Sequence, residues 1–198
     1  MIDLPLIYLC RHGQTDWNAE RRLQGQSDIP LNTLGRAQAR RNGRYLANVL
    51  GAEAAGFRFL SSPMSRASDT MRIIRAELGL PVEAFGRDDR LTEIHFGDWQ
   101  GLTLGDMQAA DADLYARREN DKWRFRPPGA GAETYETLTE RVAPVFANLE
   151  APAIVTAHGG VTRAFLHRFA GYTPHDAAHM DIPQDRILRF DRGNVSWV

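Results

Sequence analysis

Three short apolar runs are the clearest pattern along the chain. Residues 4–10 are almost all apolar, residues 57–61 form a second run, and residues 153–157 form a third. Apolar runs of this length are typical of strands that are buried on both faces of a parallel sheet. We therefore predict three buried strands.

Segments in which apolar residues recur at helical spacing separate these strands. Four helices are predicted, over residues 33–50, 64–78, 134–149 and about 161–170. Thr33 is the expected N-cap of the first helix, and Gly51 is expected to end it. Pro144 should kink the third helix, because it removes a backbone donor and crowds the preceding turn.

The middle and the end of the chain are less regular. Residues 92–132 contain two short helical segments, near 103–109 and 111–119, and are expected to form an insertion over one face of the sheet. Two alternating runs within residues 187–198 flank Gly193-Asn194, which predicts a hairpin.

The alternation of strands and helices predicts an α/β fold, a three-layer α/β/α sandwich with a mainly parallel central sheet. We expect residues 1–198 to form one domain of this kind, with the insertion near 92–132 acting as a cap over the active site. Ligands of such sheets bind outside the carboxyl ends of the strands. Polar residues directly after the strands are therefore the candidates for a functional site.

Composition excludes several classes of protein. The net charge of −1 argues against a protein that binds nucleic acid through bulk charge, and no apolar run is long enough to span a membrane. The first five residues contain no basic segment, so no signal peptide is expected and a cytoplasmic enzyme is predicted. Cys10 is the single cysteine, which excludes an internal disulfide, and we interpret it as a small buried hydrophobe.

Polar side chains follow each predicted strand. The first strand is followed by Arg11 and His12, the second by a serine pair and then Arg66, and the third by His158. Glu93 precedes a loop rich in glycine and aromatic residues. We expect the two histidines and two arginines to meet at one edge of the sheet.

This set of side chains suits phosphoryl transfer. A phosphomonoester carries about two negative charges, which arginine forks match in geometry and sign. A neutral histidine such as His12 is a competent nucleophile that gives a covalent intermediate. Glu93 is the predicted donor of a proton to the leaving group. The backbone amides of Gly159 and Gly160, at a predicted helix N-terminus, are a further candidate anion site.

Five ordered segments, which lie within residues 6–163, together resemble the histidine phosphatase superfamily, the phosphoglycerate-mutase-like enzymes. They are Leu9 to Asn18, Leu23 to Gly25 with Asp28, Ser62 to Ala67 with Thr70, Leu91 to Gly101, and Thr156 to Gly160.

The resemblance implies a role for each matching position. His12 would be phosphorylated, and Glu93 would act as an acid on the leaving group and then as a base on water. The phosphoryl group would be held by the remaining matched residues, namely Arg11, Asn18, Gln24, Gly25, Arg66, His158 and Gly159. The family needs no metal, so no cofactor is implied.

The length of the chain is similar to that of the shorter phosphatase branch, which includes α-ribazole and broad-specificity phosphatases. Glycolytic mutases of the family are longer. A segment ending at Glu133 resembles one that approaches the site in this branch. Here Ala130 and Ala132 break its usual Gly-Glu-Ser pattern, which leaves a substrate role for Glu133 open.

Three functions stay open. The favoured one is hydrolysis of a small phosphorylated metabolite, with neither nucleic acid nor membrane as a partner. The alternatives are a phosphoglycerate mutase and, less favoured, a non-catalytic phospho-ligand binding module. Specificity is expected in 92–132, whose basic cluster would either meet an acidic substrate tail or, as we favour, face solvent. The cluster contains Arg117, Arg118, Lys122, Arg124 and Arg126. No pattern specifies an oligomeric state.

Overall fold

The computed structural model describes residues 4–198, which contain one six-stranded sheet with the order β3-β2-β4-β1-β5-β6. The strands are β1 (Ile7–Arg11), β2 (Arg58–Ser61), β3 (Gly86–Arg87), β4 (Ala153–Ala157), β5 (Ile187–Asp191) and β6 (Asn194–Trp197). β3, β2, β4 and β1 run parallel to one another. β5 runs antiparallel to β1, and β6 runs antiparallel to β5. This confirms the predicted α/β fold with a mainly parallel sheet.

Helices follow the strands in the expected alternation. They are α1 (Asp16–Ala19), α2 (Thr33–Leu50), α3 (Ser65–Glu77), α4 (Leu104–Ala110), α5 (Ala112–Asn120), α6 (Tyr135–Ala147), α7 (Gly159–Ala170) and α8 (Pro174–His179). None of the helices within residues 4–198 has the length and apolar composition that crossing a membrane requires.

Alternate side chains of β1 pack into two separate hydrophobic cores. Ile7 and Leu9 lie in the core that α6 and α7 cover, whereas Tyr8 and Cys10 lie in the core that α2 and α3 cover. Since successive strand residues point to opposite faces, the sheet is covered on both sides. The three-layer arrangement follows from this pattern. Burial raises the pKa of the Cys10 thiol to about 12, so Cys10 packs as an inert small side chain.

Several element boundaries differ from the sequence prediction by one or more residues. Asn32, not Thr33, caps α2, because its side-chain oxygen accepts from the Gly35 amide at 2.9 Å. Helix α7 begins at Gly159, two residues earlier than predicted. The hairpin turns at Arg192-Gly193, which both have positive φ, as a tight turn between twisted strands requires.

The segment 92–132 contains α4 and α5, close to the two short helices predicted there. Its aromatic residues pack on one another and on α6. Trp99 stacks on Phe125 with ring centroids 5.1 Å apart, and Trp123 stacks on Tyr135 at 5.4 Å. Helix α6 passes through Pro144 and ends three residues later, at Ala147.

Candidate active site

The carboxyl ends of β1 and β4 bring two histidines together. The two strands are adjacent and parallel, with Arg11 opposite Ala157, so His12 and His158 leave the sheet at the same edge. Their ring centroids are 5.2 Å apart. The first turn of α3 carries Arg66 to the same place, where its Nε lies 3.2 Å from His12 Nε2. The predicted convergence of two histidines and an arginine is therefore present.

His12 is almost fully buried, with 2% of its surface exposed. Its Nδ1 lies 2.8 Å from the Gly13 carbonyl oxygen, which can only accept, so Nδ1 carries the proton and Nε2 carries the lone pair. Burial, followed by the charges of Arg66 and Arg11, lowers the pKa of His12 well below its ordinary value. His12 is therefore a neutral imidazole at neutral pH, as a nitrogen nucleophile must be.

Arg66 connects His12 to a loop that follows α1. The arginine is fully buried, and its Nη1 and Nη2 donate to the carbonyl oxygens of Ser27 and Gly25, both at 2.7 Å. Burial lowers the pKa of Arg66 to about 10, which leaves the side chain charged at neutral pH. A buried positive charge therefore lies beside the His12 lone pair.

Arg11 supplies a second guanidinium at the end of β1. Its Nη1 donates to the Ile182 carbonyl oxygen at 2.7 Å, whereas its buried Nε has no hydrogen-bond partner among residues 4–198. Burial and the nearby charge of Arg163 lower the pKa of Arg11 to about 10. Gly159 leaves space next to this group, since a Cβ there would lie 3.6 Å from Arg11 Nε.

His158 is completely buried, and its Nε2 lies 2.8 Å from the Ser62 hydroxyl. Its Nδ1 has no hydrogen-bond partner in the part of the chain that the structure describes. If the Ser62 hydroxyl donates to Nε2, the imidazole proton sits on Nδ1 and is free for a ligand. Burial first, and then the charge of Arg66, lowers the pKa of His158, so this ring is also neutral.

Glu93 lies at the N-terminus of α7. Its Oε1 accepts from the backbone amides of Gly160 at 3.0 Å and of Ile94 at 2.9 Å. The carboxylate of Glu93 therefore takes the Gly160 amide, one of the two amides that the sequence suggested as a site for a ligand anion. A Cβ on residue 160 would lie only 2.3 Å from Glu93 Oε1, so the contact needs glycine.

The remaining predicted residues approach from the loops after β1. Asn18 Oδ1 accepts from Gln184 Nε2 at 2.9 Å, and the same Gln184 nitrogen donates to the His12 carbonyl oxygen at 3.1 Å. Gln24 is buried, and its Oε1 has no hydrogen-bond partner among the described residues. Gly25 has a φ of +52°, and its carbonyl oxygen accepts from Arg66. These loops therefore close the site on the side of His12.

The model of the histidine phosphatase superfamily, branch 1, matches residues 7–198. The chain belongs to this superfamily.

Relatives of this histidine phosphatase include both phosphatases and mutases. It is 36% identical over 176 residues to a glucosyl-3-phosphoglycerate phosphatase of Mycobacterium tuberculosis. The matched region covers 80% of this chain and 72% of the relative. The chain is 31% identical over 187 residues to the 2,3-bisphosphoglycerate-dependent phosphoglycerate mutase 2 of Gloeobacter violaceus, covering 90% and 82%.

The fold of this histidine phosphatase also matches a candidate alpha-ribazole-5′-P phosphatase from Escherichia coli. The TM-score is 0.77 at 24% identity, over 99% of this chain and 95% of the other. At this identity the likeness concerns the fold alone. Within residues 4–198, no group of three or more His, Cys, Asp or Glu side chains is arranged to hold a metal ion.

Sequence reasoning missed two residues around the site of this histidine phosphatase. One is Gln184, described above. The other is Arg141 on α6, which holds Glu133 through two hydrogen bonds of 2.8 Å and also donates to the carbonyl oxygens of Thr92 at 3.0 Å and of Glu93 at 3.3 Å. Glu133 in turn accepts from the His95 amide at 3.0 Å. Glu133 is therefore hydrogen-bonded within the protein. Arg141 and Glu133 together hold the loop that contains Glu93, and we call this pair the brace.

Proposed function

We propose that the protein is a metal-independent phosphatase that hydrolyses a small phosphomonoester through a phosphohistidine on His12. The observation that carries this proposal is a set of buried polar atoms without partners. In the part of the chain that the structure describes, these side-chain atoms are Arg11 Nε, His158 Nδ1 and Gln24 Oε1. Buried polar groups are normally hydrogen-bonded. Three buried polar atoms without partners within one predicted site therefore indicate a place where a ligand binds.

These three unpartnered side chains are suited to bind an anion. Arg11 Nε is a charged donor, and His158 Nδ1 is a donor when Ser62 gives its proton to the other ring nitrogen. A half-turn of the Gln24 amide replaces its oxygen by its NH₂ donor. The proposal assigns the phosphoryl oxygens to these donors, to Arg66 and Asn18, to the backbone of Gly25 and to the space left by Gly159.

The first chemical step follows from the His12 geometry. Nε2 attacks phosphorus, the bond from phosphorus to the ester oxygen breaks, and protonated Glu93 gives its proton to the leaving alkoxide. The Gly13 carbonyl oxygen, 2.8 Å from Nδ1, stabilises the positive charge that the ring gains. The charges of Arg11 and Arg66 offset the negative charge on the transferring group.

The second step reverses the role of Glu93. Its carboxylate takes a proton from water, the water oxygen attacks phosphorus, and the bond from phosphorus to His12 Nε2 breaks, which releases inorganic phosphate and returns the lone pair to Nε2. The position of Glu93 supports this role, because its negative charge is close enough to Arg11 and Arg66 to offset part of the lowering of their pKa values by burial. Residues 92–132, which begin at the Glu93 loop, would form the cap of a single catalytic domain.

A phosphoglycerate mutase is the second candidate, because a mutase of another organism is 31% identical to the chain. A coupled assay with 3-phosphoglycerate separates the two: the phosphatase releases free phosphate, whereas the mutase forms 2-phosphoglycerate without release. A cytoplasmic location stays a prediction from the sequence, which cell fractionation would test.

The role of Glu93 is tested with Glu93→Gln, which keeps the shape and the hydrogen-bond acceptor but removes the acid. We expect it to slow esters with poor leaving groups far more than activated aryl phosphates, since only the former need a proton. Glu136→Gln, an exposed change on α6, is the control. Equal losses on both classes of ester would remove Glu93 from the acid role.

A further inference from the structure

One nitrogen of Gln184 contacts two residues of the proposed active site. Gln184 is half-buried and lies in the irregular segment between α8 and β5. Its Nε2 donates to the His12 carbonyl oxygen at 3.1 Å and to Asn18 Oδ1 at 2.9 Å. A side-chain amide nitrogen carries two N–H groups, so both donors of Gln184 are used within the site. The steps proposed above give Gln184 no part in the reaction.

The His12 carbonyl oxygen fixes the orientation of the Gln184 amide. A backbone carbonyl oxygen can only accept, so Gln184 must face it with its NH₂ group and not with its oxygen. The same NH₂ group faces Asn18, which must therefore present its own oxygen. A half-turn of the Gln184 amide would place one oxygen against two others, and the arrangement thus has a single allowed polarity.

Asn18 Oδ1 accepts from Thr15 as well. The Thr15 backbone amide and the Thr15 hydroxyl each lie 3.2 Å from this oxygen, so the contact from Gln184 is the shortest of the three. The Thr15 hydroxyl can also accept, and it would tolerate an Asn18 amide turned the other way, whereas Gln184 Nε2 can only donate. Asn18 Nδ2 lies on the opposite side of the amide and makes no hydrogen bond within residues 4–198.

The segment that carries Gln184 is itself fixed from two sides. The buried Asn42 of α2 donates its Nδ2 to the Gln184 carbonyl oxygen at 3.3 Å, and Arg41 of the same helix pairs with Asp185 at 3.0 Å. On the other side, the Ile182 carbonyl oxygen accepts from Arg11 Nη1 at 2.7 Å. A residue held in this way can orient a neighbouring side chain with little freedom of its own.

We propose that Gln184 is a positioning residue that fixes the Asn18 amide with Nδ2 directed to a phosphoryl oxygen of the substrate. This role rests on the proposed phosphatase function, in which Asn18 contacts the phosphoryl group. The orientation matters because a phosphomonoester carries about two negative charges, which an amide NH₂ attracts and an amide oxygen repels. A donor that is already aligned needs no reorganisation when the reaction takes place.

A purely structural role for Gln184 makes different predictions. A structural link between the segment after α8 and the end of β1 would affect stability, and its loss would not depend on Asn18. A positioning role acts through Asn18 on the phosphoryl group, so its loss would be the same for good and poor leaving groups. These two differences decide the design of the experiments.

The first test uses Gln184→Met, which removes both donors and keeps an unbranched side chain. We expect kcat/KM to fall about tenfold for p-nitrophenyl phosphate and for phenyl phosphate alike, the usual size of one hydrogen bond to a charged group. Inorganic phosphate, used as a competitive inhibitor, should bind about tenfold more weakly. Asp185→Asn is the matched control, because it removes the ion pair with Arg41 from the same segment. It should stay within twofold of the wild type.

The second test is a double-mutant cycle with Asn18→Ala. This change alone should lower kcat/KM for both esters by about tenfold or more. If Gln184 acts through Asn18, adding Gln184→Met to Asn18→Ala should cost less than a further twofold. Losses that add in full, or an Asn18→Ala variant as active as the wild type, would overturn the positioning role.

Gln184→Glu supplies a second variant in case Gln184→Met does not fold. It keeps the shape of the side chain but replaces the NH₂ group by an oxygen, so Asn18 would turn its Nδ2 towards residue 184 and away from the substrate. We expect a larger loss than in Gln184→Met. A folded Gln184→Glu variant with the activity of the wild type would overturn the proposal.

The outcomes separate the two proposals. In a folded Gln184→Met variant, a loss below twofold, an unequal loss on the two esters, or an equal loss in Asp185→Asn would overturn the positioning role, while hydrolysis of p-nitrophenyl phosphate by the wild type upholds the phosphatase. Failure of the folded wild-type enzyme to hydrolyse either ester would overturn the phosphatase and the role of Gln184 with it. Thermal melts of each variant establish whether it is folded.

Discussion

Arg66 Nε donates a hydrogen bond of 3.2 Å to His12 Nε2. The lone pair that the proposed reaction uses therefore accepts from a buried guanidinium. Burial first, and then the positive charge of Arg66, lowers the pKa of His12 and keeps the imidazole neutral. A phosphate ester that enters the site offers Arg66 a stronger acceptor than a neutral nitrogen. Binding of substrate would therefore release the nucleophile at the moment that it is needed.

Arg66→Lys should lower kcat/KM by about 10²-fold or more, because an ammonium lacks the fork that reaches His12 and the carbonyl oxygens of Gly25 and Ser27 together. Steady-state kinetics with p-nitrophenyl phosphate measure the loss. Arg72→Lys, at a partly exposed ion pair of the same helix, is the matched control. Activity within threefold of the wild type would contradict the role of Arg66.

Gly160→Ala should displace Glu93, since the added Cβ would lie 2.3 Å from Oε1 of that carboxylate. We expect a loss of about 10²-fold in turnover of alkyl phosphates, the effect of a small misplacement of a catalytic group. Gly105→Ala, in α4, is the control, because the nearest atom to its added Cβ is 3.7 Å away. If both variants keep full activity, the contact between Gly160 and Glu93 has no bearing on catalysis.

Arg141→Gln tests the brace that joins Glu133 to the Glu93 loop. The change removes the paired hydrogen bonds to Glu133 and those to the carbonyl oxygens of Thr92 and Glu93. We expect a loss of about tenfold that is larger for poor leaving groups, because Arg141 acts through Glu93. The double variant with Glu133→Gln should cost little more than either single change. Additive losses that are equal for all esters would indicate a purely structural brace.

Stability should depend on pH through the two buried histidines. The pKa of His12 and of His158 lies below that of an unfolded histidine, about 6.5, so below this pH the unfolded chain binds more protons. Stability from the neutral rings is full above about pH 6.5 and is lost as the pH falls towards the lowered values. Each ring contributes a slope of at most about 1.4 kcal/mol per pH unit.

Denaturant unfolding at pH 7.5 and 5.5 measures this slope. His158→Gln should flatten it, because one of the two groups no longer titrates, whereas His175→Gln should not, because His175 is exposed. An unchanged slope in His158→Gln would mean that this ring is protonated equally in the folded and unfolded chain.

The sequence predicted the parts of the site that depend on local pattern. Buried strands reveal where they end, so the positions of Arg11, His12 and His158 at one sheet edge followed from the apolar runs. The α2 cap was off by one residue because Asn32 and Thr33 are both good caps, and only the hydrogen bond to Gly35 decides between them.

Contacts between segments that are far apart in the chain could not be predicted from one sequence. Gln184 contacts His12 across 172 positions, and Arg141 reaches Thr92 across 49. No periodicity or motif links such pairs, since folding alone brings them together.

The most direct test of the account is to trap the phosphoenzyme. Wild-type protein is mixed with a phosphomonoester, quenched rapidly in alkali, and digested for mass spectrometry, alongside His12→Ala. The account predicts one phosphoryl group on the wild-type peptide that contains His12, and neither label nor turnover in the variant. Label that persists in His12→Ala, or that maps to His158 in the wild type, would contradict it.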